Sequence, residues 1–127
     1  MARGQVNRII KAAKSWTAKQ VRSTVISVAQ ELGKRTPVDT GLAVGNWQVS
    51  VGTPKSGTVG KRPLLSMLAS AAGALQNYRN PRVPVFITNN VHYIGKLDAG
   101  SSQQAPKNFV NAAIAAGVAK AKGRYGR

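Results

Sequence analysis

General acid–base or metal chemistry in this 127-residue sequence would have to be built from three carboxylates, Glu31, Asp39 and Asp98, and one histidine, His92. These residues are scattered, so neither a carboxylate pair, nor a Ser-His-Asp arrangement, nor a multi-carboxylate magnesium site is spaced for. His92 stands beside Tyr93 with no nucleophile, orienting acid or metal partner near it in sequence, which gives it a surface or interface role. Cysteine is absent, which removes disulfides and thiolate zinc sites. The glycines at 41, 45, 52, 57 and 60 do not form a phosphate loop, because no Gly-Lys-Ser/Thr ending follows them. The expectation is a protein that is not an enzyme and carries no cofactor and no metal. A small hydrolase would need a partner chain to complete its site.

Asp39 has two readings. Between Pro37 and Gly41 its carboxylate can accept local backbone N–H groups as an Asx-turn or cap, or it can pair with an arginine of a neighbouring subunit. Asp98 carries the same two.

The charge balance is more telling than any single residue. Nineteen lysines and arginines against three acids give a formal net charge of +16, and a globular chain this basic should meet something strongly negative, most commonly nucleic acid. Hydrophobic residues make up 43%, enough to build a core rather than a disordered basic tail. No zinc finger, aromatic RNA-binding strand or other base-reading signature accompanies the cations, so attraction to the phosphate backbone would be non-specific. No apolar run approaches the roughly 20 residues that cross a bilayer, and the N-terminus lacks the apolar stretch of a secretory signal. The expectation is therefore a soluble protein made inside a cell, without a membrane partner.

The elements that must position these residues read as a small single α+β domain spanning 1–127. It has a long N-terminal helix, a short antiparallel or mixed sheet and a C-terminal helix. Apolar residues from Ile9 to Leu32 recur at helical spacing and predict one amphipathic helix over residues 5–33, stopped by Gly33 and Pro37. Its β-branched residues, Val21, Thr24, Val25, Ile26 and Val28, weaken the intrinsic propensity, so it should need a packed partner. Alternation over 44–51 predicts a strand with Trp47, Val49 and Val51 on one face. Residues 52–62, rich in Gly and basic side chains, read as an exposed, flexible loop. A second helix should begin near Pro63 and bury Leu64, Leu68, Ala71 and Leu75, and a second strand should cover 85–89. Residues 91–97 fit either a strand or a helical turn. A third helix from about Pro106 carries Val110, Ile114 and Val118, and residues 120–127 read as a frayed basic tail.

Two stretches are more specific than the composition. Arg35-Thr36-Pro37-Val38-Asp39-Thr40-Gly41-Leu42-Ala43, followed by Gly45-Asn46-Trp47-Gln48-Val49-Ser50, resembles a signature of small neck or tail-completion proteins of long-tailed bacteriophages. Phe86-Ile87-Thr88-Asn89-Asn90, then Tyr93, Leu97, Gly100, Ser101 and Gln104-Ala105-Pro106, is similar to that family's second signature, in the same order. This chain departs from it with His92 before Tyr93, where proline is usual, and with Asp98 in place of glutamate.

The resemblance implies a structural virion protein without catalytic residues. It would be part of the neck, in a homo-oligomeric ring of six or twelve copies through which DNA passes, beside head-closure or connector and tail-terminator or tail-tube proteins. It would be made in the host bacterial cytoplasm. Subunit or partner contacts would then fall on Asp39, Trp47, Asn89, Asn90, Tyr93, Asp98, Gln104 and Pro106, with Lys55, Lys61 and Arg62 facing the DNA channel. A rival from another class is a non-specific cationic nucleic-acid-binding protein, which accounts for the charge but not for the two signatures.

Overall fold

The computed structural model describes residues 6–10, 16–37, 41–100 and 108–125. Among them a strand, β1 (Val6–Ile10), precedes the first helix, α1 (Ala18–Arg35). This corrects the expected continuous helix from residue 5. Thr17 and Gln20 mark the helix start with a capping box: Thr17 Oγ1 accepts from the Gln20 N–H at 3.1 Å, and the Thr17 N–H donates to Gln20 Oε1 at 2.8 Å. Such a box satisfies N–H groups that a helix start leaves free. Upstream of it Val6, Ile9 and Ile10 are β-branched, and strand pairing outweighs their helical spacing. The helix end is also corrected. Gly33 is helical, and its missing Cβ lets Leu64 approach closely. The helix closes where the Thr36 N–H reaches Leu32 O at 3.0 Å, one residue before Pro37.

Gly41, at φ +76°, admits the chain to a short helical turn, α2 (Leu42–Gly45). The strand expected over 44–51 is thereby reduced to β2 (Gln48–Val51). The second strand, β3 (Val85–Asn89), falls where the sequence places it. The sheet is three-stranded and antiparallel in the order β1-β3-β2, with Val85 opposite both Ile10 and Val51, and Thr88 opposite both Asn7 and Gln48.

The clean alternation expected of β2 is not observed. Trp47 and Val49 are buried and Val51 is partly exposed, but Asn46 and Ser50 are buried as well. On the second face of β2 Ser50 Oγ donates to Thr53 O at 2.6 Å, and half-buried Gln48 donates from Nε2 to Gly57 O at 2.7 Å, so the loop folds back against these two side chains.

Pro63 precedes α3 (Leu64–Leu75), which buries Met67, Ala71 and Leu75, while Leu64 and Leu68 pack at the core margin. The undecided segment forms a short helix, α4 (Ile94–Asp98). The last helix, α5 (Phe109–Tyr125), lies along α1 and runs through most of the expected basic tail, of which residues 126–127 lie outside the described residues. The expected stripe packs on the core, with Val110 buried and Ile114 and Val118 partly buried, while the buried positions are Phe109, Val110, Ala113, Gly117 and Ala121. Gly117 is required for this contact, because a Cβ there would come within 2.5 Å of Val28 Cα and 2.6 Å of Val28 N. The β-branched α1 thus has the packed partner its propensity demands. Trp47, Phe109, Leu32, Met67 and Ile87 are fully buried at the centre of the core, each worth roughly 2 kcal/mol of transfer free energy.

Candidate functional site

Among the described residues of the two signature stretches, Thr36, Ala43, Trp47 and Asn89 are joined by hydrogen bonds inside the protomer. The Trp47 indole N–H donates to Thr36 Oγ1 at 2.8 Å, and that hydroxyl donates in turn to Leu32 O at 2.5 Å, so the turn after α1 is fastened to the start of β2. Asn89 Nδ2 donates to Ala43 O at 2.9 Å while its Oδ1 accepts from the Val91 N–H at 3.1 Å, joining the end of β3 to α2. Trp47 and Asn89 are both fully buried. The expectation that they anchor a neighbouring subunit is corrected: their polar atoms are spent inside the protomer.

Asn90, half-buried, donates from Nδ2 to Lys55 O at 2.9 Å and to Gly57 O at 3.0 Å. Asn46, which stands in the first signature and to which the sequence reading assigns no site role, completes this set. Its Oδ1 accepts from the Val59 N–H at 2.7 Å, and its Nδ2 reaches Leu42 O and Val59 O at 2.8 and 2.9 Å. The loop over residues 52–62 is therefore exposed, as expected, but tied down by Asn46, Gln48 and Asn90 rather than free.

Of the three cations assigned to a DNA channel, Lys55 and Lys61 are exposed. Arg62 is not a free cation: its Nε donates to Gly45 O at 2.5 Å and a guanidinium nitrogen reaches Trp47 O at 3.4 Å, which makes it a strut between the loop and α2. Tyr93 is half-buried and meets the exposed His92 edge-on, with ring centroids 5.1 Å apart. Asp98 serves within the protomer: its Oδ1 accepts the Val110 N–H at 3.0 Å and its carbonyl accepts from Asn108 at 2.7 Å, at the start of α5. Asp39, Gln104 and Pro106 lie outside the described residues.

Glu31 is the acid whose role the sequence reading missed. Its nearly buried carboxylate receives Lys120 at 2.7 Å from α5, Arg35 at 3.2 Å and Lys34 at 3.4 Å from its own helix. The Lys120 hydrogen bond above all holds its pKa below the ordinary 4.5, against the opposing effect of burial. The i+3 and i+4 spacing of Lys34 and Arg35 was a legible signal of this cluster. Lys120 was not, because it is brought in by tertiary packing.

The outer surface divides sharply by charge. Exposed cations stand on α1, on the loop, on α4 and on α5, among them Lys19, Lys55, Lys61, Lys96 and Lys122. By contrast, α3 carries no charged residue, and its Leu65 is 78% exposed. Between the last turn of α1, α2 and the first turn of α3 lies an open cleft of about 610 Å³, with Val44 and Leu64 among its apolar lining and Lys34, Lys61 and Arg62 as its charged lining.

Among the described residues no group of three His, Cys, Asp or Glu side chains could hold a metal ion, and no helix is long and apolar enough to cross a membrane. No family model, no curated protein and no solved structure matches this chain.

Proposed function

We propose that the chain is a structural component of a tailed bacteriophage particle, part of the neck ring through which DNA passes. The observation that carries this reading is the pair of signature stretches, found in the same order as in the neck and tail-completion proteins they resemble. Their described residues support a scaffolding role, because Thr36, Trp47, Asn46, Asn89 and Asn90 are all used to hold backbone in place. The two end strands of the sheet, β1 and β2, differ in sequence and position, and a closed ring needs two dissimilar patches that meet head to tail. Exposed Lys55 and Lys61 are suited to a channel wall, since diffuse positive charge attracts passing DNA without gripping it.

Quantitative mass spectrometry of purified, nuclease-treated particles tests this, with the portal protein as internal standard. About six or twelve copies per particle are expected for a closed ring. A chain missing from the particles and recovered with nucleic acid from the lysate would overturn the reading.

That result would favour a second reading, a non-specific cationic nucleic-acid-binding protein, which the exposed cations on α1, the loop and α5 support. It predicts tight duplex binding in solution with a steep salt slope, whereas a ring component binds DNA weakly.

A further inference from the structure

We propose that the cleft between the end of α1, α2 and the start of α3 docks an acidic segment of a different protein, one that sets a carboxylate beside a large apolar side chain. Its volume of about 610 Å³ lies within the roughly 300–1,000 Å³ of ligand pockets. Two chemistries meet in its walls. Half-buried Leu64, backed by the buried Val44, offers apolar surface that gains by losing water, while Lys34, Lys61 and Arg62 are the charged residues among its described lining.

The charges differ in freedom. Arg62 is already held by Gly45 O and Trp47 O, so its charge is preorganised at the cleft. Lys61 is exposed and can close on a ligand, whereas Lys34, also exposed, already pairs with Glu31 at 3.4 Å. The first turn of α3 contributes in the same sense, since Pro63 provides no side-chain cap and no acidic residue stands in that turn.

Charge complementarity selects the occupant. A second copy of this chain, also at +16, has only three acids in all, and the two among the described residues are engaged: Glu31 by Lys34, Arg35 and Lys120, and Asp98 by the start of α5. Duplex DNA supplies phosphates, with its thymine methyls recessed in the major groove away from them, and so does not set an anion beside an apolar group able to cover Leu64. An acidic protein segment with an apolar side chain satisfies both walls.

The inference does not rest on the virion reading, and its test uses the isolated full chain, so either can fail while the other stands. The probe is a synthetic peptide with one leucine between glutamates, titrated into the isotope-labelled protein and followed by amide chemical shifts. Saturable shifts at Gly33, Gly41, Val44 and Leu64 are expected, with binding weakened about tenfold by Lys61→Glu and about tenfold when the peptide's leucine is replaced by serine. Lys61 is exposed, so this substitution leaves the fold intact.

Three results would overturn the proposal. Shifts spread over α5 together with equal binding of the serine peptide would mean general polyanion attraction. Stronger shifts at the same amides from a short duplex would make the cleft a DNA contact. Movement of these amides on dilution, or in Asp39→Asn without peptide, would mean that a second copy or the chain itself fills the cleft.

Discussion

The α1–α5 pair and the sheet with its loop are held together in opposite ways. Along α1 and α5 the backbones themselves come close, at Gly117 against Val28, and one nearly buried carboxylate gathers cations from both helices. In the sheet region the helical turn, the strand ends and the loop are joined by amide and indole side chains that each reach a distant backbone or hydroxyl group. The difference shows where tolerance lies. A close backbone contact fails when volume is added, and a hydrogen-bonded junction fails when a donor or acceptor is removed.

Adding volume at the helix pair should have the largest effect. Gly117→Ala forces a Cβ against the Val28 backbone and should cost about 3 kcal/mol, read as a fall in the urea midpoint at unchanged slope. Gly73→Ala on α3 is the matched control. It has open space around it and should stabilise by about 0.5 kcal/mol, so equal losses at both positions would break the comparison.

Removing an amide at the junction should come next. Asn89→Ala leaves Ala43 O and the Val91 N–H without their partner and should cost about 2 kcal/mol, with hydrogen exchange rising first around α2 and the end of β3.

Glu31→Gln should cost about 1.5 kcal/mol at neutral pH. Because the folded carboxylate titrates below its ordinary 4.5, its stabilisation is complete above that value and is lost as the pH falls through the lower folded value. The wild type and Glu31→Gln should therefore converge in stability on acidification, and a constant gap would mean that the cluster's electrostatics contribute nothing.

The smallest effect separates two neighbours in the loop. Arg62→Gln should cost about 1 kcal/mol through its lost contacts to Gly45 and Trp47, while Lys61→Gln should stay within about 0.5 kcal/mol.

Local signals carried much of this fold into the sequence. Pro63 and the 85–89 run located α3 and β3, and the β-branched stretch in α1 correctly demanded a partner helix. Hydrophobic periodicity alone failed at residues 6–10, where Val6, Ile9 and Ile10 satisfy a helical spacing but a capping box at Thr17 starts the helix later. It failed again at residues 42–45, where a positive φ at Gly41 turns the chain before the strand begins.

The candidate site was less legible. Trp47 and Asn89 stand out by residue type, yet whether such a residue faces a partner or the core depends on what tertiary structure sets against it, here Thr36 and Ala43. The cleft has the same origin: Gly33, Val44 and Lys61 share no sequence pattern and meet only because α1, α2 and α3 converge.

The strand order has a consequence in time. Because β1 precedes its partner β3 by most of the described elements, the segment Val6–Ile10 leaves the ribosome with no sheet partner until Val85–Asn89 have been synthesised. The nascent chain must carry an unpaired β-branched segment until β3 is made, so slow decoding between the segments encoding β1 and β3 would lengthen exposure of a strand able to pair with another nascent chain.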